Sequence, residues 1–191
     1  MTAITKLKNT NGFTLIELVV TISILAILIT VAVPSFISSI ESNRISSYLQ
    51  EVSGAVRYTR SEAIKSNRTA TICASSNQTS CAGSWNQGWI IFDDLNGDGS
   101  RAGSEPLLRV KDAFEPGYAI TWSGTNSGFV RFDGRGYTVS QQGTFKVCGK
   151  QKRASDARAL IIQNSGSLRL AADTNSDGIR EEGQGNNLSC P

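Results

Sequence analysis

Histidine is missing from this chain altogether, and with it go Ser-His-Asp and Cys-His mechanisms. The sequence has no Cys-x-x-Cys pair either, which together with the missing histidine argues against a zinc site. Nor does it contain a Gly-x-x-x-x-Gly-Lys-Ser/Thr loop, so any ATP-driven step belongs to another protein. Charge of one sign is not in excess: 19 Lys and Arg stand against 16 Asp and Glu, and no global field advertises a nucleic-acid partner. Neighbouring carboxylates such as Asp93 with Asp94, or Glu181 with Glu182, would face opposite ways on a strand. Nothing converges on a substrate, and the expectation is a protein that is not an enzyme and requires no cofactor.

What is present begins with an unbroken apolar run. Phe13 to Val33 is 21 residues with one ionisable side chain, Glu17. At about 1.5 Å per residue a helix of that length crosses the ~30 Å hydrocarbon core of a bilayer. An isolated carboxylate in lipid is costly, so Glu17 requires a partner. The residues ahead of the run carry Lys6 and Lys8 and no acidic group, which places this end on the cytoplasmic side. A secretory signal would put its small-residue cleavage site after the apolar core, whereas Gly12 lies before it, so a cut there leaves the helix on the mature chain.

Beyond residue 33 lie 158 residues, enough for one domain with its own core, carrying 17 basic and 15 acidic side chains. Ile45, Leu49, Val52 and Val56 recur on one helical face, which Ala63 and Ile64 extend to about Lys65. Pro34 is expected to kink or loosen that helix near the membrane exit. The period then changes to two. Short β-branched or aromatic runs cover 69–73, 88–92, 106–110, 118–122, 128–132, 143–148, 159–163 and 167–171, implying antiparallel hairpins packed on the helix. The division expected is a leader over 1–12, a membrane helix over 13–33, an amphipathic helix over 34–66 and an antiparallel β domain over 67–191. Cys73, Cys81, Cys148 and Cys190 all fall in that exported domain, so disulfides are expected. Of three connectivities the favoured one joins Cys73 to Cys81 and Cys148 to Cys190, the latter tying down a polar tail.

The stretch Gly12-Phe13-Thr14-Leu15-Ile16-Glu17, after a basic leader, resembles the N-terminus of type IV pilins and type II secretion pseudopilins. That resemblance implies cleavage by a prepilin peptidase between Gly12 and Phe13 and N-methylation of Phe13. It also implies that Glu17 pairs with the terminal amine of a neighbouring subunit. Arg60-Ser61-Glu62-Ala63, Trp85, Gly88 to Asp93, Phe132 to Gly136, Phe145 to Cys148, and Ala159 to Ile162 before Gly166 are similar to the GspH/FimT group of minor pilins. The group implies an α+β pilin fold and a low-copy subunit that helps start filament assembly at the tip. Its partners would be other minor and major pilins, the peptidase and the inner-membrane assembly platform. The chain would wait in the inner membrane with its C-terminal domain in the periplasm, then move to the surface pilus.

Two alternatives stand beside this FimU-like reading: a GspH-like secretion pseudopilin, and a FimT-like receptor that binds DNA. The receptor's Gly-Arg-x-Arg element reads Gly166-Ser167-Leu168-Arg169 here, with one arginine of two. Lys150, Lys152 and Arg153, with Lys146 and Arg158, form a basic cluster that would supply phosphate contacts. A separate pattern is Asp94-x-Asn96-x-Asp98-Gly99, with Glu105 at position twelve, which fits a calcium loop. A weaker copy runs Asp173-x-Asn175-x-Asp177-Gly178, with Gln184 at position twelve and Glu181 and Glu182 close by. Against calcium, Asn-Gly and Asp-Gly are also ordinary hairpin turns.

Overall fold

The computed structural model describes residues 12–126 and 128–191; the leader, Gly12 excepted, lies outside the described residues. One α-helix, α1 (Leu15–Ser66), opens the chain, followed by eight strands and two short 3-10 turns. The strands are β1 (Ala70–Ala74), β2 (Trp89–Asp93), β3 (Leu107–Lys111), β4 (Ala119–Gly124), β5 (Phe129–Phe132), β6 (Gly143–Cys148), β7 (Arg158–Ile162) and β8 (Leu168–Leu170). Each overlaps one of the eight apolar runs.

The helix has identifiable ends. At its start the Thr14 side chain accepts a hydrogen bond from the Glu17 N–H (3.3 Å), while Glu17 Oε2 accepts one from the Thr14 N–H (3.0 Å). This reciprocal capping box satisfies two of the donors that a helix N-terminus leaves over. At the other end Asn67 takes a left-handed conformation, φ 51°. Arg68 N–H then donates to the Ala63 carbonyl and Asn67 N–H to the Ile64 carbonyl, the paired bonds of a Schellman stop. Pro34 does not end the helix, which is assigned as helical on both sides of it.

The structure divides into a unit ending at Ile40 and a unit spanning Glu41–Pro191. The boundary falls within the segment 34–66 that periodicity joins into one amphipathic helix, because side-chain burial begins only at Glu41. In the first unit every large apolar side chain described from Phe13 to Ile40 is exposed, at 43–88%. In the second unit α1 buries a stripe of Ile45, Leu49, Val52, Ala55, Val56, Thr59 and Ala63. Ile64 falls off that stripe and is 47% exposed, against expectation. From Val56 the seven-residue step lands on Ala63, and Ile64 is turned about 100° further round.

The β region is two antiparallel sheets rather than one. Their strand orders are β3-β2-β1-β5 and β4-β6-β7-β8. Alternate residues of both, Ile72, Ile91, Val130, Phe132, Ile120, Phe145, Val147, Leu160 and Ile162, join the helix stripe in a single core. All three tryptophans are buried, and Trp85 and Trp122 pack on Phe145 at ring separations of 4.7 and 4.6 Å. Aromatic pairs of this kind contribute about 0.5–1.5 kcal/mol beyond their buried area.

Each sheet has a second buried face, closed in the same manner by a disulfide. Cys73 bonds Cys81, and that loop packs with Ile90, Phe92 and Phe129 on the first sheet. Cys148 bonds Cys190, and the tail places Leu188 and Ile179 against Ala159, Ile161 and Ala171 on the second. No cysteine is free.

Candidate functional site

The first candidate surface is the N-terminal half of α1. Its most apolar 18-residue window has a mean hydropathy of 2.7, and none of it is buried. Hydroxyls within it are satisfied locally: Thr21 donates to the Leu18 carbonyl, Ser23 to Val19 and Thr30 to Ile27. That leaves Glu17 as the one ionisable group from Phe13 to Ile40. Its Oε2 accepts from both the N–H and the hydroxyl of Thr14 at 3.0 and 2.9 Å, and among the described residues no cation pairs with it. Gly12 and Phe13 are exposed just ahead of the cap. The capping role of Glu17 escapes a reading of the run as membrane span alone; the signal for it is Thr-x-x-Glu directly before an apolar stretch.

The two Asp-x-Asn-x-Asp-Gly loops, one after β2 and one after β8, fold alike. In each, the Gly N–H donates to the first Asp, Gly99 to Asp94 Oδ2 at 3.0 Å and Gly178 to Asp173 Oδ2 at 2.9 Å. The Asn carbonyl oxygen accepts from the second Asp N–H at 3.0 Å in both. The next N–H, of Ser100 or Ile179, donates to that Asp at 2.7 or 2.8 Å. Finally a glutamate accepts from the residue after the first Asp: Glu105 from Leu95 N–H, and Glu181 from Thr174 N–H. Gly99 and Gly178 both lie at positive φ, 79° and 85°, which the turn requires.

The glutamates then differ. Glu105 also accepts from the Ala102 N–H through Oε2, so both its oxygens are occupied by backbone. Glu181, equally buried, leaves Oε1 without a partner. Among the described residues only Asp173, Asp177 and Glu181 bring carboxylate oxygens within 4.8 Å of one another. Asp94, Asn96, Asp98 and Glu105, the better match by spacing, are not brought together in that way. Asp94 is instead buried against β1, where the Thr71 hydroxyl donates to it at 2.7 Å. Spacing thus favours the first loop, and the grouping of carboxylate oxygens favours the second. Hydrogen bonds from the Asn187 side chain (2.6 Å) and the Ile179 N–H hold the Asp177 carboxyl below the usual carboxylate range.

The basic residues considered for phosphate contact are dispersed and largely engaged. Lys150 pairs with Glu115 at 2.6 Å, Arg153 with Asp156 at 2.6 Å and Lys146 with Glu182 at 3.8 Å. The Arg158 guanidinium donates to the carbonyls of Asp156 and Ala157. Lys152 is exposed in the turn after β6, and Arg169 is exposed on β8. The Lys150 contact holds the Glu115 carboxyl low and its own ammonium high.

Comparison with known proteins agrees with this architecture. The family profile described as Type II transport protein GspH matches residues 49–166, and the Prokaryotic N-terminal methylation motif matches residues 7–33. No match is found among curated proteins. Crystal structures of the Pseudomonas aeruginosa (strain PAO1) type IV minor pilin FimU, in two crystal forms, are similar to this chain. One aligns with a TM-score of 0.56 at 25% identity, over 69% of this chain and 91% of the other. The second gives 0.51 at 26% identity, over 66% and 92%. The matched residues, the capped apolar helix and the two-sheet domain lead to one assignment: the chain belongs to the GspH family, within the GspH/FimT group of type IV minor pilins and pseudopilins.

Proposed function

We propose that this protein is a minor type IV pilin, incorporated through its N-terminal helix into the tip of a pilus whose assembly it helps to initiate. The observation that carries the reading is the exposed apolar half of α1, with one carboxylate near its N-terminal end. A helix apolar on every side finds its partners in lipid or in other such helices. In the membrane its start faces the cytoplasm and the disulfide-bonded domain faces the periplasm. Prepilin peptidase cuts between Gly12 and Phe13, and methylation then acts on the new Phe13 amine.

In the filament the helix exchanges lipid for neighbouring pilin helices. Glu17 then meets a positive terminal amine from an adjacent subunit. A charge that would be costly alone in an apolar bundle becomes compensated, and the pair sets the axial register. The likeness to FimU supports placing this chain among the low-copy subunits. Of the six basic residues that would bind DNA, three are ion-paired and Arg158 is bound to backbone carbonyls, which leaves Lys152 and Arg169 as a thin basis for a receptor.

The test is the amount of pilin in sheared surface filaments from a strain lacking this protein. A large loss, restored by the wild-type copy, is the expected result. Unchanged piliation would overturn the reading in favour of a secretion pseudopilus, in keeping with a family described as Type II transport protein GspH.

A further inference from the structure

We propose that Asp173, Asp177 and Glu181, in the loop after β8, form a calcium site that orders the C-terminal tail. Three carboxylates place oxygens within 4.8 Å of one another, and among the described residues none of the three is ion-paired. Hydrogen bonds from Ser176, Gly178, Ile179 and Asn187 offset part of the repulsion among them, and a bound cation would offset the rest.

Glu181 supplies the second observation. It is only 6% exposed, its Oε2 is fixed by the Thr174 N–H at 2.8 Å, and Oε1 is sealed from solvent without any hydrogen-bond partner. A buried carboxylate oxygen left unpaired costs free energy that a bound cation recovers. In the sister loop Leu95 and Ala102 N–H groups use both Glu105 oxygens, and the unpaired buried oxygen there, Asp94 Oδ1, is not grouped with two further carboxylates.

The ligand chemistry selects the ion. All side-chain donors here are hard oxygens, with the Asn175 amide next to the carboxylates and no sulfur or imidazole in reach, which suits calcium or magnesium and not zinc. An irregular loop of alternating oxygen ligands fits calcium's 6–8 flexible contacts better than magnesium's rigid octahedron. Affinity on the order of 10⁻⁴–10⁻³ M is expected, the range of extracellular calcium modules.

The consequence is structural. Residues 172–190 contain no strand and are held by turns, by Leu188 against the second sheet and by the Cys148–Cys190 bond. Calcium would cross-link the two ends of the 173–181 loop and fix the path of the tail. The inference stands on this loop and is independent of the assembly role.

Arg180 lies within the loop and gives a local readout. The mature full-length chain in detergent is digested with trypsin in 10 mM calcium chloride, in 10 mM magnesium chloride and in chelator. Cleavage after Arg180 should slow by about 10–100-fold with calcium alone, by mass action on the open loop. Cleavage at Lys152, in another loop, should not change and serves as the control. Tm should rise by on the order of 5 °C. Asp177→Asn, at an exposed position, should abolish the protection, as should Glu181→Gln with its near-ultraviolet circular dichroism retained. Asp98→Asn in the sister loop should leave it intact. Protection that is absent, equally given by magnesium, retained in Asp177→Asn or lost in Asp98→Asn would overturn the proposal.

Discussion

Residues 15–40 and 41–66 belong to one helix, yet they are held by different things. The first half carries one ionisable residue, Glu17, and exposes its apolar side chains all round. The second half carries Glu41, Arg44, Glu51, Arg57, Arg60, Glu62 and Lys65, and gathers its large apolar residues, Ile64 excepted, on one buried stripe. Its polar groups reach the domain: Glu41 accepts from the Gln151 N–H at 3.1 Å and Arg60 donates to the Gly136 carbonyl at 3.0 Å. Arg109 stacks over Tyr58 at 3.8 Å. The same backbone geometry therefore serves two purposes. The second half is completed by its own chain, and the first half leaves its apolar side chains uncovered by it.

The contrast is broken most severely by a charge. Val56→Asp puts an unpaired carboxylate into a fully buried core position and is expected to abolish the folded domain. Ile24→Asp is expected to leave the domain folded while preventing stable membrane insertion. Near-ultraviolet circular dichroism of the buried tryptophans, beside membrane fractionation, reads the two outcomes. If both variants lost the domain signal equally, the division of labour along the helix would be wrong.

Truncations sharpen the comparison at lower cost. Ile45→Ala should destabilise the domain by about 2–5 kcal/mol, whereas Ile24→Ala should not change its thermal midpoint. The disulfides extend the scale. Removing Cys148–Cys190, which closes 42 residues, should cost about 4 kcal/mol in the loop-entropy picture, against about 2.5 for the eight-residue Cys73–Cys81 loop. Denaturant midpoints of the paired Cys→Ser variants check that order. Neither pair should alter peptidase cleavage at Gly12.

The smallest effect concerns Glu115, which links the second half of α1 to the turn after β6 through Arg44 (3.7 Å), Tyr48 (3.5 Å) and Lys150 (2.6 Å). The Lys150 hydrogen bond, chiefly, lowers the Glu115 pKa from its ordinary 4.5. A carboxyl depressed on folding adds stability that is fully present above its ordinary value and is lost as pH falls through the lower folded value. Glu115→Gln should therefore lower stability slightly at neutral pH and converge with the wild type at acid pH, flattening the acid limb, and the effect is small because the group is exposed. Acid titrations of the midpoint for the two proteins measure the difference.

Much of this was legible in the residues and some was not. Apolar periodicity located the helix stripe and all eight strands, because hairpin runs bounded by Gly, Asn and Asp announce themselves locally. The split into two sheets was not legible. It depends on β1 pairing with β5 and β4 with β6, contacts between distant segments that no local pattern encodes. Ile64 was misplaced by one residue of helical phase. Spacing favours the first acidic loop and carboxylate grouping the second: Glu105 sits at the twelfth position, but Ala102 and Leu95 N–H groups occupy both its oxygens, and the grouping of Asp173, Asp177 and Glu181 appears only in the fold.

In the function proposed, Glu17 acts by its charge on a neighbouring subunit, beyond capping its own helix. Glutamine at position 17 keeps the capping box with Thr14 but removes the charge. The decisive measurement is recovery of Glu17→Gln, beside Glu17→Ala and wild type, in sheared filaments at equal expression. An unpaired buried amine costs about 3–5 kcal/mol, so both variants should fall by at least about 100-fold while cleavage after Gly12 proceeds normally. Recovery of Glu17→Gln at the wild-type level, with Glu17→Ala reduced, would contradict the account and leave Glu17 as a helix cap alone.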